Sequence, residues 1–286
     1  MVTTDLPVVT GTIATTRVMG VLNVTPDSFS DGGRWLDPDA AVARAREMAA
    51  EGAAIIDVGG ESSRPGSRPV DEATELGRVV PVVEALVGEG LGVEISVDTT
   101  KPAVARAAMA AGATILNDIS ASLEQVAAET GAGWVAMHTA GPSATMQDDP
   151  RYDDVVEEVA THLADAVARG RAAGVERLWV DPGIGFGKTT THNLELVANL
   201  DRFLALAPVL VGVSRKRFVG ELHARSDGAT DVDAVTDPGD RLEGSLALAT
   251  WCAHLGADIV RVHAVRATVH AVRVVQARGD DRGEQR

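Results

Sequence analysis

Residues 51–62 read Glu51-Gly52-Ala53-Ala54-Ile55-Ile56-Asp57-Val58-Gly59-Gly60-Glu61-Ser62, and they contain the unit from which the chain is built. An Ala- and Glu-rich stretch with helical spacing, Pro38 to Glu51, leads into them. Gly52 stands just past that stretch, where a helix C-cap in the left-handed conformation favours a residue without a Cβ. Ala54 to Val58 is a short β-branched run that reads as a strand, and a polar residue with a glycine-rich loop closes the unit.

The same order recurs along the chain. Strand-like runs lie at Arg17 to Leu22, Ala54 to Val58, Glu94 to Val97, Thr114 to Leu116, Trp134 to Met137, Arg177 to Val180, Val209 to Val213 and Asp258 to Val262. Helical spacing fills Pro38 to Glu51, Glu72 to Val87, Pro102 to Ala111, Asp153 to Ala173 and Leu242 to His254. Gly112, Gly131, Gly174 and Gly256 repeat the punctuation of Gly52. Regular strand-helix alternation implies a parallel sheet, and eight strands favour closure into a single α/β (β/α)8 TIM barrel over an open sheet. The 286 residues suit one such domain, which typically needs about 250. Leu222 to Asp240, rich in Asp, Ala and Gly, reads as a mobile loop after the seventh strand, and Gly279 to Arg286 as a frayed tail.

Composition narrows the partners. A formal net charge of -15 argues against nucleic acid and against an anionic membrane surface, so any anionic ligand must meet local positive charge. Cys252 is the only cysteine, which excludes an intramolecular disulfide and a cysteine-based zinc site and fits a reducing compartment. The first sixteen residues carry no Lys or Arg, and no run reaches the roughly 18 apolar residues of a membrane helix. The expected location is the cytoplasm.

In a barrel of this kind, function collects at the C-terminal ends of the strands. Those ends carry Asn23; Asp57 and the loop from Gly59 to Gly66; Asp98; Asn117 and Asp118; Met137 and His138; Asp181 to Lys188; Ser214-Arg215-Lys216; and Arg261 and His263. A lone Asp57 or Asp118 reads about equally well as a helix cap. Asp98, Asn117 and Asp181 together offer donors and acceptors suited to a pterin-like heterocycle, with a metal triad as the competing reading. Strand alternation places Ser214 with Lys216 and Arg261 with His263, and cations buried at strand ends call for an anion such as a ligand phosphate. A structural salt bridge is the alternative.

Other motifs fail on spacing. Gly187-Lys188-Thr189 ends like a P-loop, but Pro182 stands where that motif needs glycine, and Gly183-x-Gly185-x-Gly187 lacks the dinucleotide spacing. No Ser or Cys sits in a nucleophile elbow. His162, His192, His223, His254 and His270 read as surface or helix-end residues.

Taken together, several segments resemble the dihydropteroate synthase family from about Val18 to Val274. They are Asn23-Val24-Thr25-Pro26-Asp27-Ser28-Phe29-Ser30-Asp31-Gly32-Gly33, Asp57 to Gly66, Ser96-Val97-Asp98-Thr99, Asn117-Asp118-Ile119-Ser120, Asp181 to Lys188, Gly212-x-Ser214-Arg215-Lys216 and Arg261-Val262-His263. The resemblance implies condensation of 6-hydroxymethyl-7,8-dihydropterin diphosphate with p-aminobenzoate, with Mg2+. It implies that Asp98, Asn117, Asp181 and Lys216 hold the pterin, with Met137 against its ring. Asn23, Arg261 and His263 would receive the diphosphate, with Asn23 and Asp31 facing the metal. Phe186, Ser63, Pro65, Lys216 and Ser214 would wall the p-aminobenzoate pocket, completed by Phe29 when loops close. Ser63, Arg64 and Pro65 sit where the family meets sulfonamides, and the family suggests a homodimer.

The chain departs from the family pattern at three places. Ala121-Ser122-Leu123 follows Ile119-Ser120 where the family usually has Gly-Gly in a longer segment, Ala264 replaces an Asp after Arg-x-His, and Ser63 stands for a frequent Thr. Two other readings share the pterin-holding residues: a methyltransferase between a folate and a corrinoid, and a pterin-binding paralogue serving as a regulatory or partner subunit. The first leaves the diphosphate-facing residues without a role; the second draws on Ala264 and the altered fourth loop.

Overall fold

Strands that are apolar on both faces bury themselves only if helices cover one side and other strands the other. The computed structural model, which describes residues 16–25, 38–62, 67, 69–142, 144–231 and 234–277, shows this solution. Eight parallel strands, β1 (Arg17–Asn23), β2 (Ile55–Gly59), β3 (Glu94–Asp98), β4 (Ile115–Asp118), β5 (Gly133–Met137), β6 (Leu178–Asp181), β7 (Leu210–Val211) and β8 (Ile259–Val262), run in the order β6-β5-β4-β3-β2-β1-β8-β7. A parallel bridge between Val180 and Val209 joins the two ends of that order and makes the sheet a barrel.

Helices α1 (Pro38–Ala50), α2 (Glu72–Glu89), α3 (Pro102–Ala110), α4 (Glu124–Thr130) and α5 (Val155–Ala173) follow the first five strands in turn. After β6 come α6 (Thr190–Ala198) and α7 (Leu200–Leu204), after β7 come α8 (Arg217–Ser226) and α9 (Leu242–Leu255), and α10 (Val265–Gln276) follows β8. The five glycines singled out by sequence all adopt positive φ, from 70° at Gly131 to 108° at Gly112. Asp154 starts α5 by accepting hydrogen bonds from the backbone of Val156 and Glu157.

Alternation along the strands separates two cores. Val18, Leu22, Ile56, Val58, Ile95, Val97, Leu116, Trp134 and Ala136 point outward into the helix layer. Met19, Ile55, Ile115, Val135, Trp179, Leu210 and Ile259 point inward and pack with one another in the barrel. Each fully buried aliphatic side chain contributes about 1.5–3 kcal/mol, so both layers fix the strand register firmly. One step of two residues further along, the inward row turns polar: Asp57 above Ile55, Asn117 above Ile115, Asp181 above Trp179 and Arg261 above Ile259.

Three expectations from sequence need correction. Residues 222–226 belong to α8, whose Phe218, Val219 and Ala224 are buried; the Glu221 and His223 between them mask the stripe in the sequence. The chain beyond α8 is anchored by buried Arg241, whose guanidinium donates to the carbonyls of Thr236 and Arg215. The seventh strand is only two residues long, and Arg215 takes a left-handed φ of 58°, so two-residue alternation does not carry through to Ser214 and Lys216.

Candidate active site

Asp57 is fully buried on β2, and its Oδ2 accepts hydrogen bonds from Arg261 Nε at 2.6 Å and Asn117 Nδ2 at 3.0 Å. Arg261 Nη2 donates to Asp98 Oδ2 at 2.9 Å. One guanidinium therefore joins β8 to β2 and β3, while Asp57 holds the Asn117 amide of β4. Burial raises the proton affinity of Asp98, Arg261 opposes this, and neighbouring Asp57 adds to it. Arg261 is buried too, yet its carboxylate partners outweigh burial and raise its pKa. The sequence left a ligand anion and a structural salt bridge open for Arg261; in this structure its partners are two strand carboxylates. The register explains the reach: Arg261 pairs with Met19, and Asp57 with Val21, two residues along the same strand.

A second group surrounds Asp181 at the end of β6. Its Oδ1 accepts from the Gly183 backbone N–H at 2.7 Å, and its carbonyl accepts from His138 N at 3.0 Å. Burial raises the Asp181 pKa, against the pull of Lys216, Lys188 and Arg261. Lys216 Nζ lies 4.0 Å from the centre of the Phe186 ring, a cation–π contact, and burial pushes its pKa down to about 8 against the opposing effect of Asp181. Gly185 makes room for this: a Cβ there would sit 2.9 Å from Lys216 Cδ. Asn193 of α6 holds the same loop, its Oδ1 accepting from Gly185 N at 2.6 Å. Met137 is buried on β5 and pairs in register with Asp181.

His263 and Ser214 form a third contact. Ser214 Oγ lies 3.1 Å from His263 Nδ1 and accepts from His263 N at 3.3 Å. Ser214 thus meets His263, and it orients the imidazole where Ala264 offers no carboxylate. Asn23 ends β1 opposite Gly59, where a Cβ would stand 3.5 Å from Asn23 Oδ1 and 3.9 Å from Asp98 Oδ2. Both oxygens lie within 4 Å of that position. Among the described residues no group of three or more His, Cys, Asp or Glu is arranged to hold a metal ion. The donor set fits a magnesium ion carried largely by phosphate and water, the usual way Mg2+ is held at phosphate sites.

The shortened fourth loop has its own support. Asp118 Oδ2 accepts from Ser122 N and Leu123 N, each at 2.8 Å, and from Trp134 Nε1 at 3.2 Å, so here Asp118 caps the loop. Ala121 takes a left-handed φ of 48°, a conformation that favours glycine, and its carbonyl accepts from Arg169 Nη2 at 2.6 Å. Phe29, Asp31, Ser63, Arg64 and Pro65 lie outside the described residues.

Two residues take parts in the site that the sequence does not show. Asp57 was legible as an inward residue two positions after Ile55, but its link to Arg261 and Asn117 spans the barrel. Lys188, only 2% exposed, entered the sequence reading as the end of a failed P-loop; its Nζ lies 3.0 Å from His138 Nδ1 and donates to the Phe186 carbonyl at 3.0 Å. His162, expected at a surface or helix end, packs edge-on against His138 with ring centroids 4.9 Å apart.

The profile of the family described as pterin binding enzyme matches residues 19–263. The chain is 47% identical over 274 residues to the dihydropteroate synthase of Mycobacterium leprae, covering 93% of this chain and 94% of that protein. Among solved structures, the Yersinia pestis dihydropteroate synthase with a sulfonamide drug complex superposes with a TM-score of 0.85 at 42% identity, covering 94% of this chain and 96% of that one. The Xanthomonas albilineans dihydropteroate synthase with 4-aminobenzoic acid gives 0.84 at 44% identity, with 94% of each chain covered.

Proposed function

The chain belongs to the family of pterin-binding enzymes and is a transferase with dihydropteroate synthase activity in folate biosynthesis, and we propose that the residues of its barrel mouth divide the labour of that condensation among them. Asp98, Asn117, Asp181 and Lys216 hold the pterin edge, with Met137 against the ring. Asn23, Arg261 and His263 receive the diphosphate. Phe186, Ser214 and Lys216 wall the arylamine pocket, together with Ser63, Arg64 and Pro65, and Phe29 covers it.

What supports this reading is the charge balance of the polar layer. Two half-buried cations, Arg261 and Lys216, stand among the carboxylates Asp57, Asp98 and Asp181, although the chain as a whole is strongly acidic. Such a layer holds a neutral heterocycle by directional hydrogen bonds and still accepts a phosphate at its edge. The reaction breaks the bond between the pterin methylene carbon and the diphosphate oxygen, whose electron pair leaves with the diphosphate. The arylamine nitrogen then forms the new C–N bond and loses a proton to the departing diphosphate. Negative Asp181 favours the developing cation, while Arg261 and His263 stabilise the leaving group. Asn23 and Asp31 would hold Mg2+, which supplies further charge neutralisation at the diphosphate when bound. No strong general base is needed, because the nucleophile meets a cation.

Sulfonamides, as arylamine analogues, compete for the Phe186 pocket. The chain acts as a homodimer in the cytoplasm; exposed Trp251 of α9 and Val274 of α10 support a subunit contact on that side, and the single buried Cys252 suits a reducing compartment. The test is diphosphate release by the purified protein, which should require pterin diphosphate, p-aminobenzoate and Mg2+ together. Lys216→Ala should lower kcat/KM by about 100-fold or more with the fold intact, in the range found when one charge-stabilising donor is removed. An unchanged rate in that variant removes Lys216 from the site.

A further inference from the structure

The segment from Asp181 to α6 carries Phe186 as well, and most of its fixed points lie on the loop after β5. Lys188 Nζ reaches back to the Phe186 carbonyl and across to His138 Nδ1, both at 3.0 Å. Lys188 N donates to Gln147 Oε1 at 2.9 Å, and Tyr152 Oη donates to the Gly187 carbonyl at 3.0 Å. Gly187 has no room for a side chain against the same segment, since a Cβ would lie 2.4 Å from Ala140 Cβ. Four contacts thus stitch the loop after β6 to the loop after β5.

A lysine is an expensive choice for this stitch. Its side chain is almost fully buried, its Nζ meets the His138 ring and the Phe186 carbonyl, and the negative charge of Asp181 offsets only part of the cost of burial. Burial pushes its pKa down to about 7 and that of His138 down to about 3, so each resists carrying charge where it sits. A well-packed apolar side chain would avoid that desolvation cost. What only a long donor at this position does is hold the carbonyl of the residue whose ring faces the site.

We infer that Lys188 is a positioning residue for the arylamine pocket: by holding the Phe186 carbonyl against the loop after β5, it sets the Phe186 ring, and through that ring the Lys216 ammonium 4.0 Å from its centre. The inference rests on the reading that Phe186 walls the p-aminobenzoate site. Lys188 touches neither substrate, so its loss should act on arylamine affinity more than on the chemical step.

The experiment compares Lys188→Met and Phe186→Ala by steady-state diphosphate release, with each substrate varied in turn and thermal melting to establish folding. Lys188→Met should raise KM for p-aminobenzoate by about tenfold, with KM for pterin diphosphate and kcat changed less than threefold, and Phe186→Ala should shift the same constant. Lys188→Gln, which keeps a shorter donor, should fall between wild type and Lys188→Met, and carries the test if the methionine variant does not fold. If Phe186→Ala raises that KM but neither Lys188 variant moves it beyond twofold, Lys188 has no positioning role. A lowered kcat with both KM values unchanged makes Lys188 merely structural and overturns the inference. If Phe186→Ala leaves KM for p-aminobenzoate unchanged, the pocket assignment itself fails and the inference falls with it.

Discussion

Replacing Gly183 by alanine tests whether the Asp181 loop is as tightly determined as its geometry implies. Gly183 has a φ of 68°, in the left-handed region, which costs an L-residue roughly 1–2 kcal/mol. The new Cβ would also lie 1.8 Å from the His138 carbonyl oxygen and must retreat beyond 3.0 Å. That oxygen is backbone, and the His138 N–H already donates to the Asp181 carbonyl at 3.0 Å, so relief means moving the loop after β5 or the loop after β6. Overpacking of this kind costs about 1–3 kcal/mol. Against both stands the smaller entropy of the unfolded alanine chain, about 0.4–1 kcal/mol in favour of the variant. The net loss comes to about 1–5 kcal/mol, a fall in Tm of roughly 2–8 °C for a domain of this size. Displacing the Gly183 N–H, 2.7 Å from Asp181 Oδ1, should also raise KM for pterin diphosphate. Differential scanning calorimetry and diphosphate-release kinetics measure the two effects. A Tm within 2 °C of wild type together with an unchanged KM would refute the account of this loop.

Asp57→Asn removes the charge that holds Arg261 and weakens the acceptor that orients Asn117; with Asp98 still paired to Arg261, the loss should be about 3 kcal/mol, at the low end for a broken buried pair, with a raised KM for pterin diphosphate. Urea denaturation and kinetics check it, and unchanged values of both would show that Asp57 is not the organiser of this layer. Lys188, lowered from 10.5 to about 7 in the folded protein, should give stability a pH slope: between those values the unfolded chain binds a proton that the folded chain has released, so this group's contribution to stability rises with pH. The urea midpoint of wild type minus that of Lys188→Met should therefore increase from pH 7 to pH 9; a constant difference contradicts the depressed pKa.

Much of the fold was legible because barrel architecture is written in local periods. The β-branched runs, the glycines after helices and the polar strand ends all act within a few residues, and the structure keeps their order. Local periodicity failed where structure is set by distant contacts. The helix from Arg217 to Ser226 owes its stability to Phe218, Val219 and Ala224 packing against the rest of the barrel, and the seventh strand ends at Val211, with Arg215 turning the chain before the helix. The same boundary runs through the site. Asp98, Asn117, Asp181, Lys216, Arg261 and His263 could be named from position alone, but not whom they touch.

By itself, the sequence determined which residues reach the mouth of the barrel, since side-chain direction alternates along a strand and is fixed by burial of the neighbouring apolar row. Tertiary structure alone decided the pairings: that one guanidinium answers Asp57 and Asp98, that Ser214 orients His263 in place of a carboxylate, and that a buried lysine holds the Phe186 backbone. The reason is physical. Direction is a property of one strand, whereas the partner of a buried charge depends on how closed the sheet is, and on residues as far apart in sequence as Asp57 and Arg261 arriving within 2.6 Å of each other.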